Sequence, residues 1–221
     1  MFGVHRIRPG STESADSLLT SATLGYSGLW LRDESAFVTV ANSLRPESNL
    51  DIAINRNGGR GPVEPIVATR FIEQFPALSR DAQWLAFVSN QSGRDEVYLR
   101  RLEGDGEQIQ VSVGGGTEPV WSPDERELIY RSGTSADGRA EPTMMAATIA
   151  ATPALAVASR KTLFPAAGIV TANPHANYDI SPDGKRFVFA RSNPSTRVMV
   201  IQNLAGTVAK RRAGGRGAPG S

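Results

Sequence analysis

The feature that most constrains this chain is an internal repeat in which an aspartate turn leads into an apolar strand. The clearest copy is Tyr178-Asp179-Ile180-Ser181-Pro182-Asp183-Gly184, followed by Lys185-Arg186-Phe187-Val188-Phe189. A second runs from Val120-Trp121-Ser122-Pro123-Asp124 to Leu128-Ile129-Tyr130, and a third from Ala77-Leu78-Ser79-Arg80-Asp81 to Trp84-Leu85-Ala86-Phe87. The weakest runs from Leu29-Trp30-Leu31-Arg32-Asp33 to Phe37-Val38. Four residues after Asp33, Asp81, Asp124 and Asp183 stand Phe37, Leu85, Leu128 and Phe187, so the register after the turn is kept throughout. The aspartates are 48, 43 and 59 residues apart, close to the length of a four-stranded propeller blade. Ser-Pro-Asp-Gly is turn chemistry: proline presets φ, aspartate bonds nearby amides, and glycine accepts positive φ.

Each turn therefore joins two antiparallel strands, and the strand after it leads through a polar hairpin to an outer strand. In the best copy the expected pieces are 85–90, the hairpin 91–95, 96–102, and a closing strand over 108–112. Val97 and Leu99 alternate with Tyr98 and Arg100, which predicts a strand with one face more exposed. Ala and Met favour helix in the stretch after Met144, but its position in the repeat predicts a strand over 143–149. The expected fold class is all-β, a β-propeller of about four antiparallel blades forming a partial or incomplete ring. Residues 1–19 read as a flexible segment, 20–206 as the blades, and 207–221 as a disordered basic, Gly-rich tail.

The 22 glycines and 14 prolines are spread along the 221 residues, which suits short strands and tight turns. Net charge is +2, and Lys210, Arg211, Arg212 and Arg216 all lie in the tail, leaving −2 on the rest. A basic tail among glycines reads as solvated chain rather than a specific nucleic-acid site. With no cysteine, disulfides, thiolate catalysis and Cys-ligated metals are excluded. No stretch resembles a signal-peptide core or a membrane span, so the chain as written reads as soluble and cytoplasmic.

The middle of the chain resembles the TolB-like propellers, including those at the C-terminal end of bacterial serine/threonine protein kinases. The resemblance rests on Phe75-Pro76-Ala77-Leu78-Ser79 to Trp84-Leu85-Ala86-Phe87-Val88-Ser89-Asn90, and on Ser92-Gly93-Arg94-Asp95-Glu96-Val97-Tyr98. Gln110-Val111-Ser112, Gly114-Gly115-Gly116-Thr117-Glu118-Pro119-Val120-Trp121-Ser122 and Tyr130-Arg131-Ser132-Gly133 continue it. Asn177-Tyr178-Asp179-Ile180-Ser181-Pro182-Asp183-Gly184 is similar to the last blade of that subgroup. The resemblance spans about residues 24–205 and implies a non-catalytic module that binds proteins or ligands, often outside the inner membrane. Such rings usually have six or more blades, so a truncated or split piece of a larger protein is expected. A full-length parent would then place the propeller outside the inner membrane.

No residue is assigned a catalytic, cofactor or metal role. A kinase segment is absent, since there is no Gly-rich phosphate loop and Leu31-Arg32-Asp33 is a propeller turn. Gly25-Tyr26-Ser27-Gly28 falls one residue short of a nucleophile elbow, and His5 and His175 are the only imidazoles for a triad. A lone loop histidine such as His175 lacks the convergent donors that a metal needs. The repeated aspartates resemble sialidase Asp-boxes but read as turn residues, because equivalent turns fall on different blades. Trp30 and Trp121 align before the turn and are expected to pack between blades, while Trp84 is a weaker core candidate. Gly58-Gly59-Arg60-Gly61 and Gly114-Gly115-Gly116 fall between repeats and do not end in the Gly-Lys-Ser/Thr of a phosphate loop.

The expected function is therefore binding or sensing of a protein or small ligand through loops at one end of the ring. The candidate loops are 91–96, 132–141 and 170–177. Self-association to complete the ring is a further expectation. The alternative is the sensory part of a serine/threonine kinase signalling protein whose kinase domain is encoded elsewhere. The propeller part of a prolyl-oligopeptidase-like hydrolase ranks third.

Overall fold

The computed structural model describes residues 3–6, 16–20, 28–42, 44–47, 49–59, 61–104, 107–133, 141–151, 154–171, 175–191 and 197–202. The Gly25-Tyr26-Ser27 run, most of the loop 132–141 and the basic tail lie outside these. Within the segment expected to be flexible, Gly3–Arg6 (β1) pairs antiparallel with Asp16–Thr20 (β2) as a small separate sheet. No helix among the described residues is long and apolar enough to cross a membrane.

The rest of the described chain forms four antiparallel sheets, one per repeat. Blade 1 is Gly28–Trp30 (β3), Phe37–Asn42 (β4), Leu50–Asn55 (β5) and Val63–Val67 (β6). Blade 2 is Glu73–Leu78 (β7), Trp84–Ser89 (β8), Glu96–Arg101 (β9) and Ile109–Gln110 (β10). Blade 3 is Gly116–Trp121 (β11), Glu127–Ser132 (β12), Thr143–Ala150 (β13) and Ala156–Pro165 (β14). Blade 4 is Tyr178–Ile180 (β15), Arg186–Arg191 (β16) and Arg197–Gln202 (β17). In each sheet the strands pair in chain order, so every connection within a blade is a hairpin. The strand expected over 143–149 is present despite its helix-favouring composition. Its backbone amides gain two flanking partners, β12 and β14, and tertiary pairing outweighs a few tenths of a kcal/mol of propensity per residue.

Three of the four aspartate turns are built the same way. Ser79 Oγ–H donates to Asp81 Oδ1, which also accepts from Gln83 N–H, while Ser79 Oγ accepts from Trp84 N–H. Ser122, Asp124, Arg126 and Glu127 repeat the pattern, as do Ser181, Asp183, Lys185 and Arg186. In blade 1 Asp33 accepts from the amide and hydroxyl of Ser35 instead. The residue after each aspartate has positive φ: Glu34 at 57°, Ala82 at 54°, Glu125 at 58° and Gly184 at 69°. The four aspartates lie on four different sheets, as turn residues should.

Burial corrects two expectations. Tyr98 is 4% exposed and Val97 and Leu99 are fully buried, so the alternation in β9 does not mark a solvent face. Tyr98 packs with Phe87 toward blade 1, and Val97 and Leu99 pack toward blade 3. A blade held between two others is apolar on both faces. The second correction concerns glycine: Arg56–Gly59 forms the tight turn between β5 and β6, inside blade 1 rather than between repeats. Positive φ at Asn57, Gly58 and Gly59 closes that hairpin. Gly114 and Gly115 do join two blades, also at positive φ.

Three apolar clusters hold neighbouring blades together. Val38, Ile52 and Ile54 meet Leu85 and Phe87 between blades 1 and 2, and Ala86, Val88 and Val97 meet Leu128 and Tyr130 between blades 2 and 3. Phe164 meets Phe187 edge-on at 5.2 Å between blades 3 and 4. Each fully buried large side chain contributes about 2 kcal/mol of transfer free energy. Toward the outside, arginines tie the blades: Arg100 Nη1 donates to Ile66 O at 3.2 Å, and Arg160 Nε to Val111 O at 2.7 Å.

Candidate functional site

The innermost strands β3, β7 and β11 lie side by side and enclose a cleft of about 500 Å³. Two of them carry the same distortion. The pairing of β7 with β8 slips between Gln74 and Ala77, and that of β11 with β12 slips between Thr117 and Val120. The slips hold Phe75-Pro76 and Glu118-Pro119, with φ of 54° at Phe75 and 56° at Glu118. A proline suits a bulge because it has no ladder N–H to leave unpaired. The bulges place Phe75, Pro76 and Pro119 along the cleft.

Trp30 and Trp121 complete the apolar wall, one from blade 1 and one from blade 3. Trp121 Nε1–H donates to Ala77 O at 3.3 Å, which spans the gap between blades 2 and 3 as the repeat alignment predicts. Trp30 packs on Phe37 of its own blade, ring centroids 5.2 Å apart. Both indoles therefore pack between strands and also face the cleft. Trp84 does not line it and instead lies under the Arg101 guanidinium, 4.7 Å from the ring centroid.

Among the described residues, the ionisable ones lining the cleft are Arg32, Arg80 and His175. Arg32 and Arg80 are exposed and occupy the same place in successive turns, where blades 3 and 4 have Pro123 and Pro182. Ser79 also lines the cleft, but its hydroxyl is committed to the Asp81 turn. Among the described residues no group of three His, Asp or Glu side chains is placed to hold a metal.

Behind the cleft a polar junction joins blades 3 and 4. The Tyr178 hydroxyl lies 2.8 Å from Glu118 O and 2.9 Å from Ile129 O and donates to this carbonyl pair. Glu118 is 1% exposed, and Oε1 accepts from Asn177 Nδ2 at 3.1 Å. Burial raises the Glu118 carboxyl above its ordinary range, against the opposing hydrogen bond of Asn177 and the charges of Arg131 and His175. Burial also pushes the Tyr178 hydroxyl well up.

Of the loops expected to carry binding, 170–177 reaches the cleft through His175 and Ala176. The hairpin 91–96 does not line it; Asp95 O and Glu96 Oε1 accept from the amides of Gly116 and Gly115, locking blade 2 to the start of blade 3. Ser112 Oγ–H donates to the other oxygen of Glu96, and Gly133 N–H donates to Gly115 O at 3.0 Å. A Cβ on Gly115 would stand 2.8 Å from Gly133 Cα, so the backbones meet there without room for side chains.

Similar solved structures share this architecture. TolB from Acinetobacter baumannii superposes with a TM-score of 0.62 at 19% identity, over 86% of this chain and 44% of its own. The fold is that of a β-propeller. A putative TolB from Agrobacterium tumefaciens gives a TM-score of 0.63 at 13% identity, over 90% of this chain and 70% of its own. An oligogalacturonate lyase in complex with manganese gives 0.62 at 15% identity, over 87% of this chain and 55% of its own. The chain thus spans less than half the length of the Acinetobacter protein. At these identities the likeness is one of fold. No protein-family model matches the sequence, and no curated protein matches it.

Proposed function

We propose that this chain is a non-catalytic propeller module that binds a protein or small ligand in the cleft along its innermost strands. The observation that carries this reading is the cleft itself. It is of ligand size, walled by Trp30, Pro76, Pro119 and Trp121, with a few polar groups among its lining residues, which is the usual make-up of a recognition pocket. Its walls are fixed in advance by the paired bulges and by the indole bond across blades, so little ordering is needed on binding. The polar groups present suit recognition better than catalysis: the lining hydroxyl of Ser79 serves its turn, and the imidazole of His175 stands at an exposed rim.

Ala176 lines the cleft beside blade 4, so Ala176→Trp should fill it without removing a core side chain. Wild-type protein immobilised in native extract is expected to retain a ligand that the folded A176W variant releases, with far-UV circular dichroism confirming strand content. Equal retention by both proteins, or none by the wild type, would overturn the reading.

A further inference from the structure

We propose that the cleft selects a small ligand with a flat apolar body and a single carboxylate, the carboxylate being held by Arg32 and Arg80. This rests on the binding reading above and adds the chemistry of the ligand. Three observations support it. First, among the described residues every ionisable side chain lining the cleft is basic and none is acidic. Second, the acids at the same rim each have one oxygen engaged by donors of the chain itself. Asp33 Oδ1 accepts from Ser35, Asp81 Oδ1 from Ser79 and Gln83, and Glu125 Oε1 from the backbone amide of Arg80. Among the described residues, none of these carboxylates pairs with the guanidinium of Arg32 or Arg80. Third, Trp30, Pro76, Pro119 and Trp121 line the cleft, and indole and proline rings receive planar apolar groups.

Guanidinium presents paired donors that match the two oxygens of a carboxylate, so a carboxylate at this rim gains both charge and geometry. Both arginines are exposed, which limits the gain to about fivefold in affinity and makes it sensitive to ionic strength. The repeat shows that the arrangement is local. Only blades 1 and 2 carry arginine at this turn position, and the proline of blades 3 and 4 offers neither charge nor donor.

The test compares 2-naphthoate with its neutral isostere 2-naphthamide by calorimetry, using the full chain. Indole N–H resonances report location, with Trp84 outside the cleft as the internal reference. The expected result is saturable binding that moves the Trp30 and Trp121 signals and leaves Trp84 unmoved. The carboxylate should bind about fivefold more tightly at low salt. That preference should vanish in the R32Q/R80Q double variant and shrink at high salt. Equal binding of both probes to the wild type, or a preference that survives in R32Q/R80Q, overturns the proposal. If neither probe moves Trp30 or Trp121 while A176W still abolishes capture from extract, the carboxylate proposal fails and the binding reading stands. If both experiments are negative, both fail.

Discussion

Two carboxylates in this fold respond to pH with opposite sign, and each reveals what its position does. Asp124 accepts from the Ser122 hydroxyl and the Arg126 amide, and these bonds hold its carboxyl below the ordinary range. A depressed folded value stabilises the fold above the unfolded value and loses that contribution as pH falls through the folded one. Glu118 is the reverse: burial raises it, so its ionised form costs stability that sets in as pH rises through the unfolded value. Asp124→Asn should therefore lower the urea midpoint at pH 7 and converge with wild type in acid. Glu118→Gln, whose amide oxygen can still accept from Asn177, should raise the midpoint at pH 7, with the gain gone below about pH 4. Parallel shifts of both variants across the pH range would contradict this. Backbone strain belongs to the same scale. Gly184 has φ of 69° and open space around its Cα, the nearest atom to a built Cβ being 4.0 Å away. Gly184→Ala should cost about 1 kcal/mol in chemical denaturation through its left-handed backbone alone.

At the scale of strands and turns, the sequence revealed whatever repeats locally. The four aspartates, the strand over 143–149 and the inter-blade place of Trp121 were legible because each follows from turn chemistry or position in the repeat. What was not legible depends on neighbours. Tyr98 reads as an exposed alternate until blade 1 covers it, and Gly58-Gly59 reads as a linker because a hairpin turn and a blade connection need the same residues. The cleft was hidden for the same reason: Trp30, Phe75, Pro76 and Trp121 come from three repeats and meet only when inner strands lie side by side. The one signal pointing to Arg32 and Arg80 was a deviation, arginine where two other copies have proline. Tyr178 shows how one hydroxyl can couple elements. It joins β15 to two carbonyls of blade 3, so Tyr178→Phe removes the donor and leaves the phenyl ring packed. The expected cost is about 1–2 kcal/mol from buried acceptors left unpaired. Amide exchange in β15 and β16 should accelerate while that in β8 stays slow; uniform acceleration would show that the bond does not act at this junction.

At the scale of the whole molecule, the apolar core is divided into three separate clusters, each shared by one pair of adjacent blades. Stability should then behave as a chain of nearest-neighbour interfaces. Blade 4 tests this most directly, because it is held on one face. Phe187 and Phe189 of β16 point into the cluster with blade 3, whereas Arg186, Val188 and Ala190 on the opposite face are exposed, Val188 to 41%. Blade 2 is buried on both faces, with Leu85 in one cluster and Ala86 in the next. Phe187→Ala removes an edge-on contact with Phe164 and should cost about 3–5 kcal/mol at that interface. If interfaces act in series, native-state hydrogen exchange will show β15 and β16 losing protection by that amount while β4 and β8 keep theirs. Leu85→Ala should cost about 2–5 kcal/mol at the interface of blades 1 and 2, lowering protection in β4 while β12 and β16 keep theirs, because Leu85 belongs to that cluster alone. Equal loss of protection throughout the chain in both variants would instead mean that the blades unfold as one cooperative unit, and the three clusters would have to be treated as a single core.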